Sequence, residues 1–531
     1  MKRLLLGATA LTLMGSPAYA DFTLNILHLN DFHSRFQPVT SSDSNCDAET
    51  DAAGECFGGI ARVKVAIDNA RDALGDANVV LLDAGDWFQG SLFYTQYRSE
   101  IVAEFSNMLG IDAMAVGNHE FDDGPEELAA LIAAIEFPIV SGNTNVVAEP
   151  LLADILEQAV VIEVGGERIG IVSVLAEDTD ETASPGDNVV FEDSIAYLRA
   201  AVGALEAAGI DKIIALTHVG YSVDQEIAAS VPGIDVIVGG HSHTLLSNTD
   251  ENAAGPYPTI VTNPRGIEVP IVTANAYGKY LGHLEVTWDD EGNVTAFSGE
   301  PTLIDASFEP DAGIAARLAE LEEPLQELMA EVIGTATAPI DGSRETCRII
   351  ECQMGNLVSD AMLDRVADQG ISIAIQNGGG LRASIDAGEI TMGEALTVLP
   401  FSNTLATVQL SGADVVEALE NGVSDYENGA GRFPQVAGLQ YTWDRNQPAG
   451  SRIVETRVQV DGEWTPIDPD ATYGVVTNDY TRRGGDGYST FAEGDNPYDF
   501  GPPLEQVLAD YIAAQGGEYT PYTDGRIVEV E

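Results

Sequence analysis

The sequence predicts a protein of two α/β units joined by a helical linker, and three observations lead there. Strand-like apolar runs alternate with helical stretches through the first half, the pattern changes near Pro310, and strands and helices then resume around glycine-rich loops. At 531 residues the chain is also too long for one compact core. Leu24 to Leu29, Val79 to Asp83, Ala113 to Val116, Ile213 to Thr217 and Val236 to Val238 read as buried strands. Ile60 to Leu74 and Ser194 to Ala208 carry apolar residues at helical spacing. Ala312 to Val332, rich in Ala, Leu and Glu, reads as a single helix with Pro324 as a kink, and it marks the domain boundary. Beyond it, Asn377-Gly378-Gly379-Gly380 and Gly484-Gly485-Asp486-Gly487 mark tight loops. The expected division is residues 21–308, a linker helix over 309–335, and residues 336–531.

Charge excludes one large class of partner. Acidic residues number 85 against 24 basic ones, a net charge of -61, and lysine occurs only at Lys2, Lys64, Lys212 and Lys279. A nucleic-acid groove needs clustered Lys and Arg, so none is expected. The acidity reads as a solvated surface. An anionic ligand can still bind where cations and a few placed arginines reverse the local potential.

The first twenty residues read as a removable export signal: Lys2 and Arg3, an apolar stretch from Leu4 to Met14, then Ala18-Tyr19-Ala20 as a cleavage site. The mature chain is expected to begin at Asp21 and to be soluble, exported to a periplasm or secreted. The apolar stretch is short of the roughly 18 residues that indicate a membrane span, and the end from Arg526 to Glu531 lacks a hydrophobic anchor signal. Export makes disulfides plausible for the four cysteines, and pairing within each local loop, Cys46 with Cys56 and Cys347 with Cys352, is preferred over a zinc cluster.

Five of the seven histidines fall in short motifs just past predicted strands: Asp31-x-His33, Asn118-His119-Glu120, His218 and His241-x-His243. Asp86 follows the Val79 to Asp83 run in the same way. The carboxyl ends of strands are where α/β sheets place ligands, and imidazoles, carboxylates and one bridging carboxylate suit a pair of divalent cations. Asp31 and His33, two apart in an extended segment, would share one direction and grip one ion with His243. Asp86 would bridge, one oxygen to each ion, and Asn118, His218 and His241 would complete the coordination of the second ion. His28 and His283 lack such company and read as structural. Singly these motifs are weak; together they point to a two-metal phosphoesterase.

The order D-x-H, G-D, G-N-H-E-x-D, H and G-H-S-H resembles the calcineurin-like metallophosphoesterases. The second half narrows the resemblance to the 5′-nucleotidase family through Cys347-Arg348, Glu351-Cys352-Gln353-Met354-Gly355-Asn356, Asn377-Gly378-Gly379-Gly380-Leu381-Arg382, Leu399-Pro400-Phe401, Phe433-Pro434-Gln435-Val436 and Gly484-Gly485-Asp486-Gly487. It spans about Leu24 to Phe491. The resemblance implies a four-layer α/β/β/α metallophosphoesterase sandwich followed by a nucleotide-binding α/β domain, and an exported 5′-nucleotidase holding two divalent ions (Zn, Mn, Fe or Co). UDP-sugars are further candidate substrates. It implies His119 as the group acting on the phosphoryl or leaving oxygen, with Asp122 orienting it. Phe401 and Tyr480, the latter usually Phe in the family, would stack on the base. Arg348 and Arg382 would bind phosphate or a carboxylate, Asp486 the ribose hydroxyls, and Asn377 and Asn403 would complete the pocket. By family analogy the segment from Pro310 to Ile333 is a hinge. A sulfur-oxidation thiosulfohydrolase and a non-catalytic exported nucleotide- or metal-binding protein are the rival readings.

Overall fold

The protein is described here by a computed structural model covering residues 21–530 apart from 42, 44, 45, 47, 402, 461, 499 and 500. The expected signal segment, residues 1–20, lies outside the described residues. The first half builds two sheets. One runs in the order Val294–Gly299, Tyr280–Trp288, Phe22–Leu29, Val79–Asp83, Ala113–Ala115 and Ile139–Val140, parallel from Phe22–Leu29 onward. The other runs Thr259–Thr262, Glu268–Val272, Val236–Gly239, Lys212–His218, Glu167–Leu175 and Ala159–Val164, with its four central strands parallel.

Period-two alternation decides how these sheets stack. Leu24, Ile26, Val80 and Leu82 meet Ile169, Ile171, Ile214, Leu216, Val236 and Val238 in one buried cluster between the sheets. Their neighbours Leu27, Leu29 and Leu81 turn outward onto the helices Ile60–Leu74 and Leu92–Leu109. Ile213, Ala215 and Ile237 likewise cover Ser194–Ala207 and Tyr221–Ser230. The result is a helix–sheet–sheet–helix sandwich in which strands buried on both faces read as continuous apolar runs.

The second half centres on a five-stranded sheet ordered Pro434–Ala437, Ile371–Asn377, Thr472–Asn478, Leu405–Ser411 and Asp495–Tyr498. Helices Gln353–Arg365 and Leu504–Ala514 pack on one face, and Gly412–Gly422 with the strand Leu439–Trp443 packs on the other. Both local disulfides form, Cys46–Cys56 and Cys347–Cys352. Among the described residues no helix is long and apolar enough to cross a membrane.

The expected single helix from Ala312 to Val332 divides. A helix covers Ala312–Glu322, a short one covers Gln326–Met329, and Val332–Ala336 is already a strand. Pro324 lacks the N–H that helix continuation requires, and its ring crowds the preceding turn, so the break falls there.

His28 is structural, as its sequence context implies. Its ring lies across Gly282, its cross-strand partner, where a Cβ would come within 2.0 Å of Nε2. Nε2 pairs with the Tyr257 hydroxyl at 2.8 Å, and Nδ1 is buried with no hydrogen-bond partner among the described residues. Burial, and then the neighbouring His283, lowers its pKa from 6.5 to about 3. The unfolded chain therefore takes up this proton first on acidification. Stability from His28 is whole above pH 6.5 and drains as the pH falls toward 3. Urea unfolding of His28→Gln is expected to show a shallower loss of stability than wild type across that window, by roughly 1 kcal/mol per pH unit; parallel slopes would contradict it.

Candidate dimetal active site

The carboxyl ends of both sheets bring the predicted ligands to one place. Asp31, His33, Asp86, Asn118 and His218 are all buried, and His241 and His243 are partly so. Asp31, His33 and His243 offer donor atoms mutually within 4.8 Å, and so do Asp86, His218 and His241. Asp86 joins the two groups: its Oδ2 lies 3.0 Å from His218 Nε2 and 3.7 Å from His33 Nε2. Asn118 Oδ1 is 2.9 Å from His241 Nδ1.

Two local expectations are corrected. Asp31 and His33 are not extended; they have φ of 51° and 49°. The chain coils after the first strand because the Asp31 and His33 N–H groups donate to the Gly85 and Asp86 carbonyls, both at 2.9 Å. Asp86 does not turn one oxygen to each ligand group. Oδ2 faces both, while Oδ1 accepts the His119 N–H at 2.9 Å. Gly117 makes that approach possible, since a Cβ there would sit 2.2 Å from Asp86 Oδ1.

Left-handed backbone is concentrated here. Asp86, His241 and His243 also have positive φ, of 63°, 76° and 54°. Such conformations persist in non-glycine residues only where surroundings enforce them. His218 Nδ1 is fixed by the Ala84 carbonyl at 2.6 Å and His33 Nδ1 by that of Phe88 at 3.2 Å, which aims both Nε2 atoms inward. Asp31 takes hydrogen bonds from Asn30 Nδ2 at 2.7 Å and from the His241 N–H at 3.0 Å.

The donor set fits divalent cations. His33 Nε2 and His243 Nε2 face each other at 3.0 Å, and the buried His218 Nε2 faces Asp86 Oδ2 at 3.0 Å. Burial, reinforced by cationic neighbours, holds His33, His241 and His243 well below the ordinary histidine range, so they are neutral ligand bases. Burial opposes charge on Asp86, yet His218 and His119 hold it ionised. Burial likewise opposes charge on His218, but Asp86 and Asp31 push it up. The centre demands positive charge, which two cations would supply.

His119 stands beside the ligands. Its Nδ1 is 2.6 Å from Asp122 Oδ2. Burial works against the imidazolium, but Asp122 and Asp86 overcome it and raise the pKa. Residues of the second half close over this centre. The Phe401 ring stacks on His119, centroids 5.7 Å apart at 27°, and Arg382 Nη2 lies 3.3 Å from His33 Nε2. Arg348, Asn377, Arg382, Phe401, Asn403, Tyr480 and Asp486 all line a cavity of about 830 Å³ shared with Asp86, Asn118, His119, Asp122, His241 and His243.

Other residues escaped the sequence reading. Arg344 lines the same cavity and reaches the His241 carbonyl at 3.4 Å, and Arg35 donates to the Arg382 carbonyl at 3.4 Å. Burial, with repulsion from Arg344 and Arg382, lowers the Arg348 pKa, a strain that a bound anion relieves. Glu120 was visible only as a letter of the G-N-H-E motif. Its buried carboxylate accepts the N–H groups of Asp86 at 3.0 Å, Trp87 at 2.7 Å, Phe88 at 3.2 Å and Gly117 at 2.6 Å, clamping the loop that carries Asp86.

Fold and site together define a calcineurin-like phosphoesterase with a second domain: residues 24–245 match that family, and residues 332–493 match the 5′-nucleotidase C-terminal domain. The chain is 38% identical to the 5′-nucleotidase of Mus musculus over 551 residues, covering 99% of this chain and 94% of that protein. The crystal structure of a 5′-nucleotidase precursor from Thermus thermophilus is 40% identical, with a TM-score of 0.90 over 96% of this chain and 100% of that one. A Thermus thermophilus sulfate thiohydrolase, 19% identical over 97% of this chain and 98% of that one with a TM-score of 0.77, shares the fold. The chain belongs to the 5′-nucleotidase family.

Glu120→Gln would turn an amide against two of the N–H donors. It is expected to cost roughly 2 kcal/mol or more of stability and to weaken divalent-ion retention about tenfold or more, read by thermal melting and by metal analysis after dialysis. Undiminished retention would remove Glu120 from the support of the site.

Proposed function

We propose that this protein is an exported, dimetal 5′-nucleotidase that releases phosphate from nucleoside 5′-monophosphates. The observation that carries the reading is the shared cavity, with imidazoles and carboxylates from the first half on one wall and arginines, Phe401, Tyr480 and Asp486 from the second half on the other. Asp31, His33 and His243 would hold one ion and Asn118, His218 and His241 the other, with Asp86 between. Zn, Mn, Fe or Co suits these donors. When bound, such ions supply a water nucleophile active near neutral pH and neutralise phosphoryl charge.

The chain's own residues do the rest. Arg348 and Arg382 bind the phosphate, and their planar forks orient it for in-line attack. With Nδ1 committed to Asp122, His119 has Nε2 left to donate to the phosphoryl or leaving oxygen. Phe401 and Tyr480 grip the base, each stacking contact contributing roughly 1 to 3 kcal/mol by analogy with single-stranded nucleic-acid sites. Asp486 takes the ribose hydroxyls, and Asn377 and Asn403 complete the pocket. UDP-sugars are a further proposed substrate class. The segment from Pro310 to Ile333 is proposed as a hinge between residues 21–308 and 336–531, a reading that contacts across the cavity such as Phe401 on His119 support. Ala18-Tyr19-Ala20 and the two disulfides support export to a periplasm or the medium.

Protein loaded with divalent ions is expected to release phosphate from AMP and to leave thiosulfate-type conjugates intact. The opposite preference would favour the sulfur-oxidation reading, and no turnover of either would favour a binding protein. His119→Ala is expected to lower kcat by about 10²- to 10⁴-fold with bound metal unchanged by elemental analysis; loss of metal would make His119 a ligand instead.

A further inference from the structure

A phenylalanine at position 480 would stack on a base as well as tyrosine does, yet the Tyr480 hydroxyl is engaged. It accepts the Asp486 N–H at 3.1 Å and donates to Asp486 Oδ1 at 3.3 Å. Asn377 Nδ2 donates to the other oxygen, Oδ2, at 2.6 Å. Asn377 is itself fixed, since its Oδ1 accepts from Gln376 Nε2 at 3.0 Å and Asn478 Nδ2 at 2.9 Å. Gln376 and Asn478 are fully buried.

The ring and the carboxylate form one rigid piece. Tyr480 lies on Gly485 so closely that a Cβ there would meet the ring at 2.4 Å, and Asp486 holds φ 57°, a left-handed conformation that needs enforcement. An ionised carboxylate has about four lone-pair sites. Asn377 and Tyr480 each occupy one, on different oxygens. Among the described residues, that leaves one acceptor site on each oxygen at the cavity wall, with both oxygens held in place.

Two adjacent fixed acceptors match two adjacent hydroxyl donors. We infer that the Tyr480 hydroxyl makes this pocket selective for ribonucleotides over 2′-deoxyribonucleotides, by locking Asp486 in the orientation that receives the 2′- and 3′-hydroxyls together. The inference rests on the nucleotidase reading above. A deoxyribose leaves one buried carboxylate oxygen unpaired, a cost the locked carboxylate cannot escape. With phenylalanine at 480 the carboxylate would swing to serve a single hydroxyl or admit water, and the penalty would shrink.

Calorimetric titration of the metal-loaded protein with adenosine and with 2′-deoxyadenosine, neither of which it can dephosphorylate, reads the sugar preference apart from turnover. Wild type is expected to bind adenosine about tenfold more tightly. Tyr480→Phe is expected to bring the ratio below about threefold, chiefly by tightening 2′-deoxyadenosine binding, while adenosine affinity changes by less than about twofold because the stacking ring is retained. The kcat/KM ratio for AMP against dAMP should narrow in parallel. A wild type that binds both nucleosides equally, or a Tyr480→Phe variant that keeps the wild-type ratio, overturns the inference while leaving AMP hydrolysis standing. Failure of the loaded wild type to release phosphate from AMP would remove the nucleotidase reading and this inference with it.

Discussion

Electron-rich atoms in this protein are crowded where water cannot separate them. His33 Nε2 and His243 Nε2 approach to 3.0 Å, and Asp31 and Asp86 share the same buried space. Such atoms repel unless a proton or a cation sits between them, and nothing in the local chain favours the arrangement. The scaffold must impose it, through left-handed loops, carbonyls that fix the imidazoles, and the Glu120 carboxylate gathering four N–H groups. Two sheets fused face to face by a continuous apolar layer give those loops a rigid base. The strain is tolerable because the core beneath it is not negotiable.

The opposite imbalance lies across the cavity. A chain with only 24 basic residues brings Arg344, Arg348 and Arg382 to one wall, close enough that they oppose each other's charge. Outside, the protein is strongly acidic and would turn anions away. Inside, these guanidiniums, only partly offset by Asp31 and Asp486, face a centre that itself calls for cations. Once cations fill that centre, an anionic ligand lowers the energy of both walls at once.

Much of this was legible because parallel strands buried on both faces read as apolar runs, and because histidine is rare enough for its placement after those runs to stand out. Position along the chain was sufficient to bring Asp31, His33, Asp86, Asn118, His218, His241 and His243 into one neighbourhood. Orientation was not. The coil at Asp31 and His33 depends on carbonyls at Gly85 and Asp86, more than fifty residues away in sequence. The turn of Asp86 Oδ2 toward both ligand groups depends on a glycine at 117. Glu120 looked like an ordinary acidic residue because its partners belong to another loop. The break at Pro324 was marked by the residue itself, but helical composition on both sides outweighed it.

A cavity whose two walls come from different halves of the chain gives its parts room to vary independently. Changes around Tyr480 or Asp486 fall away from the strand ends that present the metal-facing imidazoles. Inheritance can thus keep one bond-breaking apparatus while the other half drifts toward new cargo, the kind of modularity from which a lineage of related hydrolases with differing tastes can grow.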